Sequence, residues 1–268
     1  QDLVALCFKL DLGLTVNVDK SVVLFLSPSP VPIPPPLISI NHVPLTVVDS
    51  TRILGVTIDC RFTWTPHIDG IVRKVSKKIG ALWRSLRCLS IPARRSFILA
   101  VILPDFLYCS PSFLTKLSAQ DRNRLQSLFR RAVRAACGAD HLDDPGTLLR
   151  RLSLFPFDQY VLMSFARFLH RNFVSHPLPS LSSLFPKPRA ARCTRSQTTP
   201  FIAVNRFRTS DGVNSFSNRA ALFFNALPSE LRSSSHTQHF MQKFNNFLKD
   251  PMQVNRFLNF LFGRVTNV

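Results

Sequence analysis

The sequence contains one pair of adjacent carboxylates, Asp143 and Asp144, in the phrase HLDDPGT. Neighbouring carboxylates can hold the divalent metal ions that drive phosphoryl or nucleotidyl transfer. A pair with that role lies in a tight turn between apolar strands, whereas this pair follows an arginine-rich helical pattern and precedes Pro145-Gly146. Proline is common at the first position of a helix. We therefore predict a loop and a helix start here, without a catalytic role.

Other side chains that carry chemistry are not spaced for it. The cysteines are widely scattered, with no Cys-x-x-Cys pair and no histidine at ligand spacing, so we expect neither a zinc site nor a disulfide framework. They are Cys7, Cys60, Cys88, Cys109, Cys137 and Cys193. The sequence also lacks a Walker loop, a Gly-x-Ser-x-Gly elbow and a His-Glu-x-x-His helix. Reduced thiols in an intracellular protein are the expectation.

The composition points to a folded protein with a polyanionic partner. The 268 residues are 46% hydrophobic, which suffices for a core and excludes wholesale disorder. Thirty-four Lys and Arg residues against 15 Asp and Glu residues give a net charge of +19. A folded chain with that excess repels itself unless a polyanion neutralises it. Nucleic acid is the leading expected partner, and an anionic membrane surface is the second.

We expect no membrane span. The most apolar run, Phe97 to Tyr108, is interrupted by Pro104 and Asp105. It is also shorter than the roughly 20 residues that a span requires. The chain opens without a secretory signal. It begins with Gln1, inside a helical pattern, so we expect a fragment of a longer protein.

The positive charge is concentrated in a helical region that begins near Thr65, the predicted N-cap, with Pro66 as the first helical residue. At ~100° per residue, the apolar residues fall in one arc about 120° wide and the basic residues fall outside it. The apolar residues are Ile71, Val72, Val75, Ile79, Leu82, Trp83 and Leu86; the basic residues are Arg73, Lys74, Lys77, Lys78, Arg84 and Arg87. The alternative is a solvated surface helix, but such helices mix Glu with Lys. We predict contact with nucleic acid. For Trp64 and Trp83 we predict core positions, and the alternative is that they are stacking platforms.

A second basic helix is predicted from Ala119 to Cys137. Its basic residues are Arg122, Arg124, Arg130, Arg131 and Arg134, and its apolar stripe consists of Leu125, Leu128, Phe129 and Val133. Between Ile71 and Ala136 the chain has four Lys and ten Arg residues against two acidic residues. The positive charge is therefore not spread evenly along the chain.

The remaining elements are predicted from periodicity and from turn residues. Leu37–Ile40 and Val43–Val48 read as a β-hairpin, and Arg52–Ile58 as a third strand. The proline-dense stretch from Pro28 to Pro36 is expected to be an extended loop. The Pro/Ser-rich stretch from Pro177 to Pro188 is an expected linker. Two helices follow it, at 214–227 and 237–249, and Pro228 is placed to end the first.

Several phrases, in order, resemble the downstream part of the reverse transcriptases of LINE-type (non-LTR, Jockey-like) retrotransposons. GLTVNVDKS (13–21) is similar to the palm motif Gly-Leu-x-x-Asn-x-x-Lys, and RILGVTID (52–59) to the Leu-Gly-Val primer-grip strand. FTWTPHI (62–68) resembles the entry to the thumb, LPDFLYC (103–109) a later Pro-x-x-x-Tyr phrase, and LQSLFRRAVRAACGA (125–139) the next helix. TRSQ (194–197) and FSNRAALFFNALPSELR (216–232) resemble the C-terminal segment, although Phe224 stands where a Trp is common. The resemblance spans almost the whole chain and rests on order and spacing.

The resemblance implies a polymerase fragment without its catalytic centre. In the family, an aromatic-x-Asp-Asp turn and an earlier Asp hold two metal ions, and both would precede Gln1. We therefore expect no cofactor in this chain and Mg²⁺ for the full-length polymerase. The upstream palm and fingers of the same polyprotein are the implied missing partner. The implied localisation is intracellular, in the nucleus and cytoplasm.

The resemblance also implies roles for particular residues. Lys20 would reach the nucleotide phosphates as a general acid toward pyrophosphate; the alternative is an exposed lysine beside a strand. Leu54, Gly55 and Val56 would form the primer grip, where the alternative for the glycine is a bulge or turn. The basic helices would contact phosphates of an RNA–DNA hybrid. The expected contact residues are Arg73, Lys74, Lys77, Lys78, Arg84, Arg87, Arg122, Arg130, Arg131 and Arg134.

The expected fold class is α+β, mainly α, with a small strand remnant of a polymerase palm before a helical thumb and a helical C-terminal segment. The expected domains are residues 1–62 (end of the palm), 63–176 (thumb-like) and 177–268 (linker and C-terminal helices). The expected function is binding of template-primer duplex, without polymerisation by this chain alone. One alternative is a stand-alone basic helical nucleic-acid-binding protein derived from a mobile element. Another is association with a membrane surface through the basic amphipathic helix.

Overall fold

The computed structural model describes residues 16–26, 37–40, 42–85, 88–139, 143–175, 179–182, 202, 204 and 206–262. The predicted loop at 28–36 lies outside these residues, as do most of the predicted linker and the TRSQ phrase. Most of the described residues are helical and the strands are short, so the fold class is α+β and mainly α, as predicted. The chain divides into two compact units, residues 1–69 and 70–268.

The first unit contains three pairs of short strands. The strands are β1 (Val22–Val23), β2 (Ser39–Ile40), β3 (Val43–Pro44), β4 (Thr46–Val47), β5 (Ser50–Ile53) and β6 (Val56–Asp59). β1 pairs with β4 in parallel, whereas β2 with β3 and β5 with β6 are antiparallel. The predicted first hairpin is confirmed at β2 and β3, and the residues after it pair with β1 instead.

The predicted strand at Arg52–Ile58 is wrong, because the chain reverses in its middle. Ile53 pairs with Val56, and the two residues between them form the loop of a hairpin. Leu54 has φ 48° and Gly55 has φ 87°. Positive φ at both loop residues is the geometry of a type I′ turn, whose twist matches that of the flanking strands.

Helix α1 spans Thr65–Arg84. It begins one residue earlier than predicted, since Trp64 precedes it with a positive φ and its carbonyl accepts the first helical hydrogen bond from Ile68. Ile71, Val75, Ile79 and Leu82 are buried, as the apolar arc predicts. The core position is confirmed for Trp64, which is 5% exposed, and is wrong for Trp83, which is 54% exposed.

The second unit continues from α1 through a series of helices. They are α2 (Ile91–Phe97), α3 (Leu103–Leu107), α4 (Ser110–Phe113), α5 (Ala119–Cys137), α6 (Pro145–Arg151), α7 (Phe157–His170), α8 (Pro179–Ser182), α9 (Ser210–Val213), α10 (Phe216–Ala226), α11 (Ser229–Arg232), α12 (Thr237–Phe247) and α13 (Pro251–Phe262). A π-helical turn, Ile98–Ile102, joins α2 to α3.

One helical stretch of the described chain, Ile91–Lys116, is long and apolar enough to cross a membrane by length and composition. It is not one continuous helix, because Tyr108 is extended and Cys109 is left-handed. Ile98 and Phe106 are fully buried within the helical unit. These features are typical of a core segment. The absence of a span stays a prediction.

Local signals explain the limits of α5 and α6. The hydroxyl of Ser118 accepts a hydrogen bond from the backbone of Asp121 at the start of α5, and Gly138 ends that helix with φ 62°. The carboxylate of Asp144 caps α6 by accepting hydrogen bonds from the backbone and hydroxyl of Thr147. The prediction of a loop and helix start at Asp143-Asp144 is confirmed.

Helix α7 lies at the centre of the C-terminal packing. Helices α10, α12 and α13 all contact it, so the residues predicted as a separate third segment belong to the same compact unit. The core here is aromatic: Phe165 packs edge-on to Phe223, and Phe223 contacts both Phe244 and Phe257. The two predicted helices are confirmed as α10 and α12, whereas α13 was not predicted.

A buried histidine links α7 to the segment before α12. His170 Nε2 lies 2.7 Å from the carbonyl oxygen of Ser234, and the ring stacks on Phe240 with centroids 4.2 Å apart. A carbonyl can only accept, so Nε2 carries the proton. Burial lowers the pKa of His170, and the Ser234 carbonyl opposes that shift. The lowered pKa favours the neutral form of the His170 ring in the folded protein.

We expect Phe244→Ala to reduce the free energy of unfolding by about 3–5 kcal/mol, because its fully buried ring joins α12 to α10 and α13. Urea unfolding followed by circular dichroism measures the loss. Met252→Ala, at a 78% exposed position of α13, is the matched control and should change stability by less than about 0.5 kcal/mol. Equal effects of the two substitutions would contradict the packing described.

Candidate nucleic-acid interface

Lys20 lies in a short 3-10 turn, Val18–Lys20. The side chain of Asn17 accepts a hydrogen bond from the backbone N–H of Lys20 at 3.1 Å, and the hydroxyl of Ser21 donates to the carbonyl of Asn17 at 2.8 Å. The asparagine and the lysine of the phrase therefore belong to one capped turn, with Lys20 exposed. The side chain is accessible to a phosphate, and its proposed acid role stays a prediction.

The three predicted primer-grip residues lie in different environments at the hairpin turn. Leu54 is 86% exposed and Gly55 is also exposed, whereas Val56 is 6% exposed and belongs to the core of the first unit. A leucine with positive φ is strained by about 1–2 kcal/mol, because its Cβ approaches the backbone. The turn therefore presents an apolar side chain at its tip at a cost in conformational energy. Gly55 is a turn glycine, the alternative named from the sequence.

Asp59 holds the hairpin to the start of α1, a role that sequence reasoning missed. Its carboxylate accepts hydrogen bonds from the backbone of Thr63 at 3.0 Å and of Trp64 at 2.9 Å, and from the Thr63 hydroxyl at 3.0 Å. Burial raises the pKa of Asp59, but these hydrogen bonds lower it by more, so the pKa lies below its usual range. An Asp six residues before Thr65, the first residue of α1, was the available signal.

His67 makes a second contact at this junction. Its Nδ1 accepts a hydrogen bond from the backbone N–H of Thr57 at 3.4 Å. Burial lowers the pKa of His67, and the charge of Arg52 lowers it further. The ring is therefore neutral when it accepts this bond. Histidine at this position gave no sequence signal beyond its place on the first turn of the helix.

Asp105 divides the basic residues of α1 into two groups. Its carboxylate lies 2.8 Å from Lys74 Nζ and 2.5 Å from Lys78 Nζ, and Lys78 also donates to the carbonyl of Val101 at 2.7 Å. The Lys78 side chain is 27% exposed and the Asp105 side chain 10%. Lys78 is thus engaged within the protein, and we remove it from the set of expected phosphate contacts. Lys74 remains 64% exposed, but its charge is paired with the same carboxylate, so we also remove it from that set.

The other basic residues of α1 form a row on its opposite flank. At ~100° per residue, Arg73, Lys77, Gly80 and Arg84 lie within about 60° of one another around the helix. The three cations are exposed, and Lys77 and Arg84 have no carboxylate partner among the described residues. We call Arg73, Lys77 and Arg84 the cation row. Arg87, also predicted, lies outside the described residues.

The arginines of α5 also fall into two groups, those paired within the protein and those exposed to solvent. The Arg122 guanidinium lies 3.2 Å from the Asp158 carboxylate and 4.1 Å above the ring centre of Phe262, so this arginine has a structural role. Arg124 pairs with Asp121 at 2.8 Å. Arg130 and Arg131 are exposed. Of the residues predicted on α5, these two are the best placed for phosphates.

Arg134 lies at a groove between α5, α6 and the start of α7. Phe129, Val133, Leu148 and Phe157 provide the apolar lining, with Arg130 and Arg134 beside it. Arg134 is partly buried. The groove places two predicted arginines on one apolar surface.

Polar residues of the C-terminal phrase (216–232) make hydrogen bonds inside the second unit. The buried guanidinium of Arg219 donates to the carbonyl of Phe260 on α13 and to the side chain of Asn214. Burial lowers the pKa of Arg219. The Asn225 amide pairs with both the N–H and the C=O of Ile202, at 2.9 and 2.8 Å. These contacts join α10 to neighbouring segments of the same unit.

Within the described residues, no three His, Cys, Asp or Glu side chains lie close enough to hold a metal ion. One oxygen of the Asp144 carboxylate caps α6 by accepting hydrogen bonds from the backbone and hydroxyl of Thr147. These hydrogen bonds also lower its pKa.

Comparisons with known proteins assign no family to this chain. No protein-family model matches this sequence, and no curated protein or solved structure matches it.

We expect Asp59→Asn to lower the free energy of unfolding at pH 7 by about 1–3 kcal/mol, because backbone donors lose a buried carboxylate acceptor. Since folding lowers the pKa of Asp59, its contribution is present above the unfolded pKa of about 3.9 and is lost as pH falls through the folded pKa. The gap between the two proteins should therefore close in strong acid. Fluorescence of Trp64 in a Trp83→Phe background reports the unfolding.

Asp49→Asn changes an exposed carboxylate of the same unit and is the matched control. It should leave stability unchanged within about 0.5 kcal/mol. His67 adds a milder loss at higher pH, as pH falls through its lowered pKa, and this loss is common to all three proteins. A gap for Asp59→Asn that persists unchanged in strong acid would contradict the assigned role of the carboxylate.

Proposed function

We propose that this chain is the template-primer-binding part of a LINE-type reverse transcriptase and that it binds an RNA–DNA hybrid through its phosphates. The observation that carries the proposal is the cation row on α1, formed by exposed Arg73, Lys77 and Arg84. In this reading residues 1–62 are the end of a palm, and α1 begins a thumb. The alternative is a stand-alone nucleic-acid-binding protein derived from a mobile element.

The cation row has the dimensions of a phosphate backbone. From Arg73 to Arg84 the helix rises about 16 Å, at ~1.5 Å per residue. One strand of B-form DNA carries a phosphate about every 3.4 Å along the axis, and the phosphates of an A-form-like RNA–DNA hybrid are closer, so the row spans at least about five phosphates. Such contacts are independent of base sequence. This suits a protein that must hold whatever duplex is being copied.

The distribution of acidic residues favours a polyanion. In the second unit, Asp105 binds two lysines, Asp121 and Asp158 pair with arginines, and Asp144 caps a helix. Lys77, Arg84, Arg130 and Arg131 are exposed and are not paired with these groups. Surface charge of one sign attracts a polyanion and raises the rate of encounter.

The order of the phrases supports a polymerase rather than a generic basic helix. The Lys20 turn, the Leu54-Gly55 hairpin and α1 follow one another as the palm motif, primer grip and thumb do in the family that the sequence resembles. By the resemblance, Mg²⁺ would belong to the full-length polymerase. We therefore derive no nucleotidyl-transfer step for this chain.

We expect the affinity for an RNA–DNA hybrid to fall with salt, and the triple variant Arg73→Gln, Lys77→Gln, Arg84→Gln to reduce the slope of log K against log salt by about 3 units. Fluorescence anisotropy with a labelled hybrid measures both. Lys74→Gln is the matched control, because Lys74 lies on the same helix but is paired with Asp105. A triple variant with the slope of the parent chain would make α1 a solvated surface helix.

We expect no primer extension when the purified chain is given template-primer, nucleotides and Mg²⁺ or Mn²⁺. The physical reason is that the only adjacent carboxylates, Asp143 and Asp144, lie at the cap of α6. Gel analysis of a labelled primer checks this, with an active polymerase as the positive control. Extension by this chain would overturn the assignment of a binding part.

A further inference from the structure

Trp83 is the one predicted core residue of α1 that the structure places at the surface. Its side chain is 54% exposed, whereas Trp64 is 5% exposed. By helical periodicity Trp83 lies at the edge of the apolar arc, on the flank that carries the cation row and away from Lys74 and Lys78. The described residues place no aromatic ring and no cation over it. An exposed indole thus borders a line of positive charge.

Gly80 leaves the surface beside this ring free of any side chain except that of Arg84. It lies one turn before Arg84, and a Cβ built on it would meet only the Arg84 guanidinium, at an ordinary 3.6 Å. Its φ is not in the left-handed region, so the backbone does not require glycine there. Glycine weakens a helix interior relative to alanine. The residue therefore costs helix stability and gives space between Trp83 and the cation row.

We propose that Trp83 stacks against an unpaired nucleobase of a strand whose phosphates lie along the cation row, with Gly80 leaving room for the nucleotide. The inference rests on the proposed function and adds a site for an unpaired base next to a duplex. An indole offers a flat apolar face to any base, and neighbouring cations neutralise the adjoining phosphates. Charge complementarity favours a nucleic-acid strand over an apolar protein surface, because an apolar surface has no negative charge to pair with the cation row.

The test compares two hybrids of equal duplex length, one blunt and one with a short single-stranded overhang. In the parent chain the overhang should bind about 5- to 150-fold more tightly, the range expected for stacking of one base. Trp83→Ala should abolish this preference and leave the blunt affinity unchanged. Trp83→Phe keeps a ring and should retain part of the preference. Overhangs of RNA and of DNA distinguish which strand supplies the base.

Intrinsic fluorescence gives a second readout. The chain has two tryptophans, so in the parent chain the overhang should quench emission from exposed Trp83. In Trp83→Phe only buried Trp64 remains, and the quenching should disappear. Quenching of equal size in both proteins would overturn the proposal.

Two glycines of α1 provide matched variants. Gly80→Ala should raise the melting temperature and lower the affinity for the overhang at least about 3-fold, because the methyl group fills the open surface. Gly70→Ala lies on the same helix with nothing within 4 Å of its Cβ. It should raise the melting temperature and leave both affinities unchanged. Loss of overhang affinity in both variants would contradict a local role for Gly80.

The outcomes separate the two proposals. If the chain binds neither hybrid, the proposed function fails. If it binds both hybrids equally and Trp83→Ala changes nothing, only the stacking site fails. If Trp83→Ala changes the oligomeric state in sedimentation while both hybrid affinities stay the same, the ring contacts protein instead, which also overturns the stacking site.

Discussion

The Asp105 carboxylate, bound by Lys74 and Lys78, is the interaction on which the arrangement of α1 depends. With 10% of its side chain exposed, this carboxylate would be costly to leave unpaired. The two lysines are one turn apart, so both can reach it only from one flank of the helix. Lys78 also reaches the carbonyl of Val101 in the π-helical turn. The contact therefore fixes which flank of α1 meets the segment 98–105, and so which flank is left with its charges exposed.

Because acidic residues are scarce in this chain, the contact affects how positive charge is distributed over the surface. In a chain with 34 basic and 15 acidic residues, each carboxylate used in a cap or an ion pair leaves more cations without a counterion. Asp121 and Asp158 stabilise α5 and its neighbours, and Asp144 starts α6. The fold thus gains local order from its acids and accumulates positive potential elsewhere. Under the proposed function, binding of a polyanion would relieve the resulting repulsion, so folding and binding would depend on the same charge distribution.

Much of the helical part was predictable, because its signals are local. The 3.6-residue period located α1 and α5, and Ser118 and Gly138 marked the limits of α5. The hairpin at Leu54-Gly55 was missed, since leucine is a poor predictor of positive φ and only the pairing across the turn requires it. The Asp105 contact joins residues far apart in sequence, and no local pattern reports it. Trp83 lay at the edge of the apolar arc, where periodicity alone does not decide between core and surface.

The cation row on α1 and the apolar turn at Leu54 differ in the kind of contact that each could make with a nucleic-acid strand. The cation row would give binding strength that depends on salt and not on base sequence, and so cannot by itself fix where a strand end lies. An apolar tip such as Leu54, held in a strained turn, adds little charge-dependent affinity, but its position is fixed by the strand pairing on both sides. Strain at an exposed position persists only where the surrounding structure enforces it. Asp59 and His67 supply that support, because they tie the second strand of the hairpin to the residues that begin α1. Under the proposed function, the hairpin would locate a strand and the helix would hold it.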